Sequence, residues 1–79
     1  MLTPLSSEKA IHLLERENTL VFAIDERMTK QDVKREVEER FKVKVVRVNT
    51  QRGPKGKKAF VTLSRDASAL DIATQLGLL

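Results

Sequence analysis

Residues 43–64 read as two extended runs, VKVVRVNT and KAFVTLS, on either side of a segment holding Gly53-Pro54 and Gly56. Glycine and proline mark where a chain must turn, and β-branched runs flanking such a segment form a hairpin. In the returning run Ala59, Val61 and Leu63 share one face and Phe60 takes the other. The first run has no single phase: Val43 and Val45 share a face, while Val46 and Val48 share the opposite one. Either both faces are partly covered or a bulge shifts the register. The remaining elements must be placed about this hairpin, in one domain spanning 1–79, because 79 residues leave no room for a second.

Upstream, residues 19–24 (TLVFAI) are β-branched or apolar throughout, the pattern of a strand covered on both sides. Before it, Ser7 is a natural N-cap for a short helix with Glu8 in its first turn and Ala10, Ile11, Leu13 and Leu14 along one side; Asn18 stops it. Between the first strand and the hairpin, Thr29 and Asp32 stand at capping-box spacing and Met28 can staple onto Val33. Val33, Val37 and Phe41 then recur every fourth residue, the inner edge of an amphipathic helix of about three turns. Ser68 and Asp71 repeat the capping spacing before a last helix, where Leu70, Ala73 and Leu76 can face inward and Gly77 supplies the C-terminal stop. The order is α-β-α-β-β-α: an α+β domain with a small, mostly antiparallel sheet of three to four strands packed with helices. A right-handed crossover closed by the hairpin places the third strand between the first two and leaves the second at an edge.

That edge strand is basic. Residues 40–58 carry Arg40, Lys42, Lys44, Arg47, Arg52, Lys55, Lys57 and Lys58 and no Asp or Glu, leaving seven basic and eleven acidic residues elsewhere. A net charge of only +4 therefore conceals a dipolar molecule, with the footprint expected of a polyanion binder at one pole. Arg47 and Arg52 can fork onto phosphate oxygens, and Lys44, Lys55, Lys57 and Lys58 act as point charges. Asn49, Thr50 and Gln51 can hydrogen-bond sugars or base edges, and Gly53 and Gly56 let backbone N–H groups approach phosphate. Because the charge lies on a hairpin, not along a recognition helix, structured RNA fits better than duplex DNA.

Enzyme chemistry finds little to work with. His12 is the only histidine and sits in a helix; there is no metal-ligand cluster, nucleophile-elbow serine or phosphate loop ending in Gly-Lys-Ser/Thr. No cofactor and no small-molecule substrate are expected. Cysteine is absent and no apolar run reaches the roughly 20 residues of a membrane span, so a cytoplasmic protein without membrane insertion is expected. Ala59-Phe60-Val61-Thr62 matches half of an RNA-recognition signature, but its other ring positions fall on Lys58 and Leu63, so Phe60 is expected in the core and not on a stacking platform.

Four segments occur in register: Ser7-Glu8-Lys9-Ala10, Val46-Arg47-Val48-Asn49-Thr50, Pro54-Lys55-Gly56-Lys57-Lys58-Ala59-Phe60-Val61-Thr62-Leu63, and Ala69-Leu70-Asp71-Ile72-Ala73. Together, over nearly the whole chain, they resemble the universal large-subunit ribosomal protein family numbered twenty-three, in its archaeal form. The resemblance implies a structural protein on large-subunit ribosomal RNA beside the polypeptide exit tunnel, with neighbouring ribosomal proteins as partners. It further implies a docking point for nascent-chain factors such as the signal recognition particle. Carried onto this sequence, Asn49-Thr50 and the turn Pro54 to Lys58 resemble the family's RNA contacts, and Ser7, Glu8 and Lys9 its exposed docking corner. Residues 51–57 are shorter than the bacterial loop that enters the tunnel, and the basic N-terminal extension of eukaryotic relatives has no counterpart. The competing reading is a protein-interaction adaptor whose basic edge strand pairs with an extended or acidic peptide.

Overall fold

The computed structural model describes residues 2–54 and 56–78. Along the chain run β1 (Thr3–Pro4), α1 (Glu8–Glu17), β2 (Thr19–Ile24), α2 (Lys30–Phe41), β3 (Val45–Gly53), β4 (Gly56–Leu63) and α3 (Ala69–Gln75). The six expected elements form in the expected order, joined by a short β1 that local pattern does not mark. Thr3 pairs with Ala23 and Pro4 with Phe22. Two residues carry no periodicity, and a proline is tolerated in a strand only at an edge, where its missing N–H costs nothing.

The sheet order is β1-β2-β4-β3, with every neighbouring pair antiparallel. As the crossover argument requires, β4 lies between β2 and β3, and β3 is an edge. One face of the sheet presents Leu20, Phe22 and Ile24 from β2, Val45 and Val48 from β3, and Ala59, Val61 and Leu63 from β4. Val33 and Val37 of α2, Ala69, Ile72 and Ala73 of α3, and Leu14 of α1 complete that core. Burying a side chain of this size stabilises by about 1.5–3 kcal/mol, so these residues hold the domain together.

The ambiguous phase of β3 resolves as a bulge. The register shifts between Val45 and Arg47, and Val46 stands out at 65% exposure, which lets Val45 and Val48 both face the core. The Val45 N–H donates to Glu38 Oε2 at 3.0 Å, anchoring the bulge to α2. The strands also run further towards the tip than composition suggests: Gly53 pairs with Gly56, and Gly56 has φ 122°, a conformation other residues rarely adopt.

Helix ends follow the expected side chains. Ser7, Thr29 and Ser68 each accept a backbone N–H in the first turn of α1, α2 and α3, and Asp32 completes the box by accepting from the Thr29 N–H at 3.0 Å. That bond, with the Thr29 hydroxyl, holds the Asp32 carboxyl below the ordinary carboxylate value. After α3, Gly77 (φ 77°) and Leu78 return their N–H groups to Thr74 and Ala73, the paired bonds of a glycine-ended helix. The inward stripe of α3 is Ala69, Ile72, Ala73 and Leu76; Leu70 is exposed instead, since the helix begins at Ala69 and position 70 falls about 100° round from it.

Asn18 does more than stop α1. It adopts φ 52° at the C-cap. Its amide nitrogen lies within hydrogen-bond distance of the Leu63, Ser64 and Ala67 carbonyls (3.3, 3.1 and 2.9 Å), while its oxygen accepts the Ala69 N–H at 2.7 Å. One side chain thereby ties the end of α1 to the end of β4 and the start of α3.

Candidate nucleic-acid interface

Side chains alternate across a strand, and the register shows where each basic residue is sent. On the face away from the core, three rows cross β2, β4 and β3: Ala23, Lys58 and Gln51; Val21, Phe60 and Asn49; Thr19, Thr62 and Arg47. Arg47, Asn49, Gln51 and Lys58 are exposed there. At the β2 end, Thr19 and Val21 are buried, and Ala10, Ile11 and Leu14 of α1 meet them around a small cavity. The Thr19 and Thr62 hydroxyls hydrogen-bond across the strands at 3.0 Å. Phe60 belongs to this face, half-buried and outside the core cluster. Its neighbours Ala59 and Val61 fill the core positions of β4, so alternation turns the ring outwards.

The second set lies at the tip, on the core side of the ribbon. Arg52 pairs in register with Lys57, and Lys57 with Ile24. The Lys57 ammonium donates to the Met28 carbonyl at 2.8 Å, which fixes the tip against the loop before α2. Arg52, Gly53 and Pro54 are exposed, and Thr50 is half-buried opposite Ala59. Lys44 is exposed just before β3, its carbonyl accepting the Ser64 N–H. Arg40 ends α2 with its guanidinium 5.9 Å from the Phe41 ring centre, and Lys42 caps that helix at φ 54°. Lys55 lies outside the described residues. The ribbon thus carries cations on both of its sides, not along one.

Between the ribbon tip and the start of α1 lies an open groove of about 670 Å³. Leu5 and Ser6 form one wall, Ala23 lies in its floor, and Gln51, Pro54 and Lys58 form the other side. The Leu5 N–H donates to the Val21 carbonyl at 3.0 Å, holding the first wall beside β2. Ser7 borders the same groove, whereas Glu8 and Lys9 are exposed on the first turn of α1. Ser7 is also the helix cap, its oxygen accepting the Ala10 N–H at 3.2 Å. Leu5, Ser6 and Ala23 carry no charge and no motif; Ala23 reaches the hairpin by pairing with Lys58, but only the pairing of β1 with β2 brings Leu5 and Ser6 there, and no local signal foretells it. Among the described residues, no cluster of three or more His, Asp or Glu could hold a metal ion, and no helix is long and apolar enough to cross a membrane.

The arrangement therefore offers cations and amides for a polyanion. A family model described as ribosomal protein L23 matches residues 1–70. The chain is 40% identical over 78 residues to the large ribosomal subunit protein uL23 of Picrophilus torridus, covering 99% of this chain and 95% of the relative. It is 45% identical over 78 residues to the protein of the same name from Methanothermobacter thermautotrophicus, covering 98% of this chain and 91% of that relative. With the family model spanning residues 1–70, which hold α1, α2 and the β3–β4 hairpin, and both relatives aligned over nearly the whole chain, the chain belongs to the ribosomal protein L23 family.

Proposed function

We propose that this chain is a structural constituent of the large ribosomal subunit in the cytoplasm, binding large-subunit ribosomal RNA near the polypeptide exit tunnel through the β3–β4 ribbon. The observation that carries the reading is the placement of cations on both sides of one exposed ribbon. Like charges held on a thin element repel one another, and phosphate removes that cost while releasing condensed counterions. A ribbon charged on one side fits a flat surface. Charged on two, it fits a crevice between RNA strands, with Arg47 and Lys58 facing one backbone and Arg52 the other. Lys57 serves this indirectly, by fixing the tip through Met28. The work is neutralisation and shape fit, and no bond is made or broken. Neighbouring ribosomal proteins and nascent-chain factors, the signal recognition particle among them, fall to the acidic remainder of the surface, with Ser7, Glu8 and Lys9 as the docking corner.

The test is a salt titration of RNA binding by the wild type and by the Arg47→Ala, Arg52→Ala, Lys58→Ala triple variant, using transcribed large-subunit ribosomal RNA. Each lost phosphate contact lowers the slope of log affinity against log salt by about one, so a drop of about three is expected with the fold intact. An unchanged slope would remove the ribbon from the interface. A weak salt response in the wild type itself would favour peptide pairing along the β3 edge. For the docking corner, Glu8→Ala ribosomes are expected to recruit the signal recognition particle poorly; normal recruitment would dismiss that role.

A further inference from the structure

Charge neutralisation alone does not account for the groove between Leu5-Ser6 and the ribbon tip, where Leu5, Ala23 and Pro54 lie beside Arg52, Lys57 and Lys58. We propose that it receives one unpaired nucleotide of the ribosomal RNA, base first, so that the N-terminal wall and the hairpin together form a base pocket. The proposal rests on the RNA-binding reading above and goes further by specifying how one base is held.

Three observations carry it. The first is size: about 670 Å³ lies within the range of roughly 300–1,000 Å³ typical of small-ligand sites, and a single nucleotide is a ligand of that class. The second is chemistry. Leu5, Ala23 and Pro54 offer the apolar surface that a base needs against its faces, and the Gln51 amide and Ser6 hydroxyl can donate and accept along its edge. The third is charge placement. Lys58 occupies the same sheet row as Ala23 and Gln51, so a cation sits beside the floor where the nucleotide's phosphate must remain. Arg52, Lys57 and Lys58 border the same apolar surface, and a nucleotide, with an uncharged base and a charged phosphate, matches both parts at once. RNA recognition by proteins favours splayed-out bases of loops and bulges, whose faces and edges are free.

The experiment uses the full chain with transcribed large-subunit ribosomal RNA and base-edge chemical probing, dimethyl sulfate for adenine and cytosine and a carbodiimide for uracil and guanine. The wild type is expected to protect one unpaired base that is reactive in free RNA. Ala23→Leu, which fills the floor, is expected to restore that base's reactivity and to lower affinity about tenfold, with the salt slope unchanged because the cations remain. Gln51→Ala, at an exposed position, is expected to re-expose the same base without disturbing the fold, which keeps the test sound if Ala23→Leu unfolds. Wild-type protection and affinity in both variants would overturn the pocket while leaving the salt-dependent ribbon standing. Absence of salt-dependent binding by the wild type would overturn both readings together.

Discussion

Strand β4 presents two faces built to different rules. Towards the helices it sends Ala59, Val61 and Leu63, all at 3% exposure or less. Away from them it sends Lys58, Phe60 and Thr62, flanked by Arg47, Asn49 and Gln51 of β3. The first face is satisfied by the chain itself, through close packing with α2 and α3. On the second, α1 covers the β2 end at Thr19 and Val21, while over β4 the described side-chain contacts are one hydroxyl pair and a half-covered ring. The part that α1 leaves open is where a partner's requirements can be read.

Removing one ring from each face should produce very different losses of stability. Phe22, 1% exposed and stacked 6.4 Å from Phe41, should cost about 3–5 kcal/mol as Phe22→Ala, enough to unfold much of so small a domain. Phe60→Ala should cost less, about 1–2 kcal/mol, since the ring is only half-buried and lies outside the core cluster. Chemical denaturation measures both, and similar losses would contradict the division of the sheet into two faces.

Asn18 ranks next. Asn18→Ala leaves the Ala69 N–H and three carbonyls without their shared partner, for an expected loss of about 2–3 kcal/mol. Asn18→Gly keeps the left-handed backbone but loses the same hydrogen bonds, so it should recover only the smaller conformational part. RNA affinity extrapolated to full folding should not move in either variant.

Thr29→Ala should cost about 1 kcal/mol through its lost cap. Its partner Asp32 gives the smallest signal. The folded carboxyl titrates below its ordinary value of 3.8 because it accepts hydrogen bonds from the Thr29 backbone and hydroxyl. A depressed folded value means the stabilisation is present above the ordinary value and fades as pH falls through the folded one. Asp32→Asn, which removes the titrating group, should therefore flatten the acid limb of a stability–pH curve, and an unaltered limb would dismiss the capping box as its source.

The sequence made the covered face legible and left the other one partly hidden. Capping residues Ser7, Thr29 and Ser68 and the four-residue recurrence of Val33, Val37 and Phe41 locate the helices because they act through nearest neighbours. The β3 edge followed from chain handedness, whereas the conflicting valine phases allowed either two partly covered faces or a bulge, and the register shift between Val45 and Arg47 decides for the bulge. Phe60 misled because a lone ring among apolar residues looks like core, when alternation had already given the core to Ala59 and Val61. Lys57 was legible as a charge but not as a brace, since its acceptor at Met28 is 29 residues away in sequence. The groove was out of reach for the same reason: Leu5 and Gln51 meet only through a two-residue strand that no periodicity reveals.

On this reading the β3–β4 ribbon is the element that meets RNA. Ultraviolet crosslinking within purified large subunits, followed by mass spectrometric mapping of nucleotide adducts, tests it most directly. Adducts are expected on residues 47–58 and not on the outer side of α2 at Lys30, Lys34 and Arg35. Adducts on α2 with the ribbon left unmodified would contradict it.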